Sequence, residues 1–489
     1  MNEAAWRTLL DLRPDSTPAG GLQRELRSRL VTAIRRGDLA TGMRLPASRK
    51  LAAWLDISRN TVTLAYNTLV QDGLLEARHG SGVYVAQSPP VRAAVDRPQP
   101  AQSWVRRPAI MPSLMRQVNK PRDWQSYRYP FISGQVDPEL FPVNGWRESS
   151  RAAWSMAETS IWSQDVIDAD DDALVEAVRL HVLAERGIRA GRDEVLITLG
   201  AQQALSLLAQ LYLTGGRVAG IEDPGYTDVR NMAAQFASEL APLPVDGQGA
   251  IPDAALLRCD IAFLTPGQHC PTNAVMPLDR RRRFLEQAAL SGTVLVEDSY
   301  DWDHRSEDAP PPLKTLDAVG QVVHVGSFSK SLAPGIRGGF MVAAPDIIAE
   351  LRALRRMSIR HPPLSDQRIL ASFLSLGHHD AHLRRIRPIL AERAELIRHE
   401  LPLAMPDCTA VHGPGSHSFW IALPDGQDSQ RLLPLAQAEG VLIEPGGVFF
   451  ADPARGARYF RLGYAAIRTE RIVSGIAALA RAVNLLRGA

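Results

Sequence analysis

The chain has 489 residues, 45% hydrophobic and 22% charged, with a formal net charge of +2. That length exceeds one ordinary domain, and the composition excludes disordered, collagen-like and small disulfide-stapled classes. Cys259, Cys270 and Cys408 lack metal-ligand or disulfide spacing, no apolar run approaches the ~20 residues of a membrane span, and the start "MNEAAWRTLLDLRPDST" lacks the apolar stretch of a secretory signal, so a cytoplasmic protein is expected.

Charge is uneven along the chain. Residues 1–130 carry 20 Lys+Arg against 10 Asp+Glu, and the rest carry 35 against 43. A basic front and an acidic back point to two partners of different kinds. In the front, "LQRELRSRLVTAIRRGDL" sets Leu22, Leu26, Leu30, Val31 and Ile34 on one helical face and stops at Gly37. "LPASRKLAAWLDI" is a second short helix opened by Pro46, with Leu51, Ala52 and Leu55 inward. Ser58 caps a third, "RNTVTLAYNTLVQDG", in which Val62, Ala65, Tyr66 and Leu69 recur at i, i+3, i+4, i+7 before Gly73. "LLEARHGSGVYVA" then reads as two strands around Gly80-Ser81-Gly82. This order makes a winged helix-turn-helix, expected over residues 18–86.

In such a domain the start of the third helix meets base edges in the major groove. Arg59 suits guanine, Asn60 suits adenine, and Thr61 and Thr63 suit phosphate or a thymine methyl. Arg49 and Lys50 suit phosphate, while Arg78, His79 and Gly80 at the wing tip suit phosphate or the minor groove. The competing reading is a solvated basic face. The ordered helices, the "SRNTV" start and the glycine wing favour a double-stranded DNA operator as partner. The run "GMRLPASRKLAAWLDISRNTVTLAYNTLVQDGLLEARHGSGVYVA" resembles the GntR family of bacterial regulators over about residues 20–86. Ala47 and Asp56 depart from the serine and glycine common there.

Between Gln87 and Pro130 stand eight prolines and eight basic residues, without a sustained period. Residues 87–125 read as an extended linker; an irregular subdomain packed on the large one is the alternative. From residue 126 to 489, helical stretches alternate with short apolar runs, "EVLIT", "RVAGIE", "IAFLT", "TVLVED", "QVVHVGS" and "GFMVAA". This is an α/β pattern with a mainly parallel sheet, whose ligands sit at the carboxyl ends of the strands.

The residues that follow those runs are informative. Gly200, Ala201 and Gln202 open a helix whose backbone N–H groups make a phosphate site. Tyr226, presented by Pro224-Gly225, can stack on a planar ring. Asp298 and Tyr300 share a face at a strand end; the carboxylate needs a cation such as a pyridinium N–H, and the phenol can reach an oxygen of the same ring. Ser327, Ser329 and Arg337 surround Lys330 with phosphate-binding groups. Lys330 is one of four lysines beside 51 arginines, and only lysine can form an imine.

This segment resembles the class I aminotransferases of pyridoxal 5′-phosphate (PLP) fold type I, with large and small subdomains. The resemblance implies that Lys330 is the Schiff-base lysine, Asp298 pairs with the pyridine nitrogen and Tyr300 with the ring hydroxyl. It implies that Ser327, Ser329, Arg337 and the Gly200-Ala201-Gln202 turn hold the phosphate and that Tyr226 stacks on the ring. In "YFRLGYAAI", Arg461 stands where the family carries its substrate-carboxylate arginine.

A winged helix fused ahead of such a domain is the plan of the MocR subfamily of GntR regulators. "YPFISGQVDPELFPVNGWR" and "GVLIEPGGVFFAD" resemble further MocR stretches, and "FISGQVDPELFP" and "RALRRMSIRHPP" resemble the taurine and ectoine utilisation branch. In "TPGQHCPTNAV", Cys270 replaces the asparagine that would bond the ring oxygen and Asn273 replaces a glycine; Gly267, Gln268 and His269 stand where MocR relatives read Ser-His-Gln. These replacements argue against efficient transamination. The expectation is a homodimeric regulator that senses an amino acid or other primary amine by exchange of the Lys330 imine (aldimine exchange). An active aminotransferase with a secondary DNA-binding domain is the alternative, and a binding module that has lost PLP is a third reading.

Overall fold

The computed structural model describes residues 2–10, 21–78, 80–86, 110–300 and 309–487. Within it are two compact units, Met1–Arg107 and Pro108–Ala489. His79 and residues 87–109 of the expected linker lie outside the described residues.

The first unit contains α1 (Glu3–Leu10), α2 (Gly21–Arg36), α3 (Ser48–Leu55), α4 (Arg59–Gln71) and the antiparallel pair β1 (Leu75–Arg78) and β2 (Gly82–Val85). Leu26, Leu30, Leu51, Val62, Ala65, Tyr66 and Leu69 form one core, closed by Leu75 and Val85 of the hairpin. The Ser58 side chain accepts from Thr61 N at 3.1 Å and so caps α4. Asp56 takes φ +53° at the α3 C-cap, a left-handed position that Asp tolerates in place of glycine. Pro46 lies before the N-cap Ala47 and does not open the helix itself. The expected start at residue 18 is too late for the core: α1 buries Trp6 and Leu10 in it.

The second unit is built on strands β3 (Tyr129–Pro130), β4 (Val195–Thr198), β5 (Val218–Asp223), β6 (Glu239–Asp246), β7 (Gly249–Ala250), β8 (Ile261–Leu264), β9 (Val294–Ser299), β10 (Val322–Ser327) and β11 (Gly339–Val342). A smaller lobe adds β12 (Thr409–Val411), β13 (Ser418–Ala422), β14 (Val441–Leu442), β15 (Glu444–Pro445) and β16 (Tyr459–Gly463). Among the described residues the main sheet runs β4-β11-β10-β9-β8-β5-β6-β7. Pairs β5/β6, β5/β8, β8/β9 and β9/β10 are parallel; β11 is antiparallel to both neighbours, and β7 to β6. Helices cover both faces, so central strands such as β10 are buried throughout and read as continuous apolar runs. The small lobe is an antiparallel sheet in the order β12-β13-β16-β15.

Residues 110–125 differ from an extended linker. Arg116 donates to the Phe450 and Ala451 carbonyls at 3.1 and 2.8 Å, and Asn231 Nδ2 donates to the Arg116 carbonyl at 2.7 Å. Val118 packs beside Cys270, Trp420, Phe449 and Phe450. The prolines that suggested a spacer instead mark an irregular strap on the second unit. No helix among the described residues is long and apolar enough to cross a membrane.

Candidate functional site

The carboxyl ends of β4, β5, β8, β9 and β10 open on one cavity of about 250 Å³. Its lining includes Ala201, Gln202, Tyr226, Asp298, Tyr300, Ser327, Ser329, Lys330 and Arg337. These come from sequence positions well over a hundred residues apart, and the sheet order brings them together. Lys330 lies past the end of β10, outside the core, and its Nζ donates to Ser133 Oγ at 3.2 Å. The ammonium also lies 5.5 Å from the Tyr300 ring centre. Tyr300 Oη donates to the Gln268 carbonyl at 3.0 Å, and Tyr226 Oη donates to Gln202 Oε1 at 2.8 Å and to Asp228 Oδ2 at 3.1 Å.

One end of the cavity fits a phosphate. Gly200 (φ +79°) precedes the helix Ala201–Leu213, which has no side-chain cap. A Cβ at Gly200 would stand 3.5 Å from the Arg337 guanidinium and 3.7 Å from Ser329 Oγ, so the missing side chain leaves the concavity open. Ser329 Oγ is buried and makes no hydrogen bond among the described residues. Arg337 itself is anchored by donation to the Leu199 carbonyl at 2.8 Å. An uncapped helix start, a guanidinium and an unsatisfied hydroxyl form an anion cradle. Asp298, 7% exposed, lines the same cavity. The residues present therefore fit PLP.

Three functional residues escaped sequence reasoning: Lys120, Ser133 and Glu444. Gly463 permits their assembly, because a Cβ there would stand 2.4 Å from the Ile132 carbonyl carbon; the glycine lets β16 press against the segment carrying Ser133. Lys120 donates to the Ser133 carbonyl and pairs with Glu444 Oε1 at 3.4 Å. Arg461, which lines the cavity, donates through Nε to Glu444 Oε2 at 2.7 Å. Glu444 and Arg461 are direct cross-strand partners on β15 and β16. Burial alone would raise the Glu444 carboxyl, but Arg461 and Lys120 hold it below the ordinary glutamate value. Burial pushes Lys120 down, with Arg461 and Lys330 adding to the shift and Glu444 opposing it. Scarcity of lysine was the available signal for Lys120, and a glutamate inside the apolar run "GVLIEPGG" was the signal for Glu444.

The two departures from the aminotransferase pattern have structural consequences. Cys270 lines the cavity, with burial pushing its thiol up to about 11, and Arg461 approaches its Sγ at 3.4 Å. The thiol is therefore neutral at physiological pH and a poorer donor than an amide. Asn273 adopts φ +63°, the conformation glycine would supply, and ties the loop after β8 to the small lobe through Nδ2 to the Ser418 carbonyl at 2.9 Å. Below the ring site, burial raises Glu222 to about 8 and lowers His269 to about 3, so both are neutral near pH 7.

On the first unit, Arg49, Lys50, Arg59 and Asn60 are exposed. Thr61 Oγ1 is within 2.8 Å of Ser58 Oγ, and Thr63 Oγ1 donates to the Arg59 carbonyl at 3.0 Å. Those hydroxyls support the helix start, leaving Arg59 and Asn60 as its outward groups. Arg78 lies over the Tyr84 ring at 4.6 Å, beside Gly80 (φ +69°) in the wing turn.

Residues 22–85 match the bacterial regulatory proteins of the gntR family, and residues 165–479 match aminotransferase class I and II. The HTH-type transcriptional regulator TauR of Rhodobacter capsulatus is 42% identical over 95% of this chain and 97% of its own length. A probable rhizopine catabolism regulatory protein, MocR of Rhizobium meliloti, is 29% identical over 94% of this chain and 93% of its own. Among solved structures, the α-aminoadipate aminotransferase LysN of Thermus thermophilus, complexed with N-(5′-phosphopyridoxyl)-L-leucine, aligns with a TM-score of 0.68. That alignment is 29% identical and covers 77% of this chain and 97% of LysN.

Proposed function

Because the chain belongs to the MocR-type GntR regulators, with a GntR helix-turn-helix ahead of a PLP-dependent class I and II aminotransferase domain, we propose that its second unit senses a primary amine, an amino acid or a derivative. One observation carries this reading. A single cavity unites an imine-forming lysine, a carboxylate and an anion cradle, while the position that would tune the ring oxygen holds a neutral thiol.

Ser327, Ser329, Arg337 and the N–H groups at Gly200, Ala201 and Gln202 hold the cofactor's phosphate in this reading. Asp298 balances the ring nitrogen, Tyr300 faces the ring hydroxyl, and Tyr226 covers the ring. When bound, the cofactor supplies an electrophilic carbon that a primary amine can capture. Lys330 supplies the resident amine that an effector displaces, and Ser133 Oγ receives its N–H. Arg461 contributes positive charge to the same cavity. We place this chemistry in a cytoplasmic homodimer that reads paired half-sites.

Titration of the purified protein with primary amines, following its visible spectrum, tests this. The expected result is a saturable, stoichiometric spectral change that alters operator affinity. Many turnovers of amino donor to keto acid would instead make the protein a working aminotransferase.

For DNA, Arg59→Ala should cost ~1–3 kcal/mol and relax base preference, because an outward guanidinium at a recognition-helix start reads a base edge. Arg49→Ala should weaken binding to all sequences and flatten the salt dependence, as loss of a phosphate contact does. Binding isotherms at several salt concentrations separate the two, and unchanged operator binding in both variants would place the DNA face elsewhere.

A further inference from the structure

Of the four lysines, Lys50 lies over the Trp54 ring and Lys314 is tied to the Val322 carbonyl and Asp317. The other two meet at Ser133, Lys330 through its hydroxyl and Lys120 through its carbonyl. They also flank one point: a Cβ on Gly134 would stand 3.9 Å from Lys330 Nζ and 3.2 Å from Lys120 Nζ. Both lysines therefore face the same corner of the cavity.

Charge balance gives that proximity a consequence. Arg337 belongs to the phosphate cradle and Asp298 to the ring nitrogen. The cavity's other charged side chains, Lys120 and Arg461, share one carboxylate, the buried Glu444 behind them. Glu444 is committed to Arg461, its cross-strand neighbour, at 2.7 Å, and holds Lys120 more loosely at 3.4 Å. The Lys120 side chain is also the more open, 27% exposed against 12% for Arg461. A sheltered cation with half a counter-charge is stabilised by an incoming anion.

We propose that Lys120 determines specificity by taking the acidic group of a short amino acid whose amine meets Lys330. This rests on the amine-sensing reading above and narrows it: the effector carries a primary amine and one acidic group only a few atoms apart. Arg461 acts as a positioning residue, holding Glu444 so that it does not close on Lys120.

The test uses the full-length, cofactor-loaded protein with glycine, β-alanine and 4-aminobutanoate, against n-propylamine as the neutral-tailed control. Affinities come from the visible spectral change, alongside cofactor content and operator binding. The parent should prefer the best of the three amino acids over propylamine by about tenfold or more. Lys120→Gln should weaken that amino acid by roughly 30-fold and propylamine by less than about threefold. Lys120→Arg, which keeps the charge, should retain the preference. Equal losses for acidic and neutral amines, or an unaltered preference in Lys120→Gln, would overturn the assignment. So would a folded Lys120→Arg that loses the preference, which decides the matter if the glutamine variant does not fold. A parent that answers propylamine as well as the amino acids overturns the Lys120 assignment alone, whereas a parent that answers no amine overturns the sensing reading and this inference together.

Discussion

Lys330→Ala should abolish the covalent link to the cofactor and the absorbance band of the imine it forms, while the protein keeps its fold. The lysine sits beyond the end of β10, and its contacts are a hydroxyl of Ser133 and the face of Tyr300. It fills no core volume, so truncation leaves no cavity of the kind that costs several kcal/mol. The cradle at Gly200, Ser329 and Arg337 is independent of it, so the variant should still hold the cofactor non-covalently, and more weakly. Borohydride treatment of the parent, followed by peptide mapping, should place the label on Lys330. The sharp competitor is Lys120, which lines the same cavity. A label there would exchange the roles of the two lysines; a label on Lys314, paired with Asp317 and the Val322 carbonyl, would refute the site.

The parts of the fold legible in the sequence are those whose physical causes are local. Strands β4, β5, β8, β9, β10 and β11 are buried along nearly their whole length, so each appears as a short apolar run, and the cavity residues follow the carboxyl ends of all but β11, which runs antiparallel to its neighbours. The same rule located Asp298, Lys330 and the helix start at Ala201. Strand β6 was missed because Pro242 and Pro244, on its exposed side, interrupt the apolar run near the sheet edge. Helix α1 was missed because eight residues with two inward side chains give too short a period to read. Residues 110–125 were misread because proline content reports backbone stiffness, not what the backbone packs against. Lys120 and Glu444 lie more than three hundred residues apart, and no local pattern marks a contact of that span.

The pairing of Arg461 with Glu444 makes Arg461→Gln the most severe change to the small-lobe side of the cavity. Glu444 is 1% exposed and would lose its 2.7 Å partner, keeping, among the described residues, Lys120 and the Ser133 N–H. Removing one member of a buried ion pair typically costs about 3–5 kcal/mol, which denaturant unfolding of the second unit should register. The effector should weaken as well, by ~100-fold, because Glu444 would then neutralise Lys120 and that side of the cavity would carry no net positive charge. The double variant Arg461→Gln/Glu444→Gln separates charge balance from direct contact. It removes both buried charges, so most of the lost stability should return, and it frees Lys120 from its counter-ion, so effector affinity should recover. If Arg461 instead grips the effector's acidic group itself, through two parallel N–H donations, the double variant would regain stability and stay as insensitive to effector as the single one. A single variant as stable as the parent would mean that the buried pair contributes nothing to the lobe, and the cross-strand contact between β15 and β16 would then be incidental.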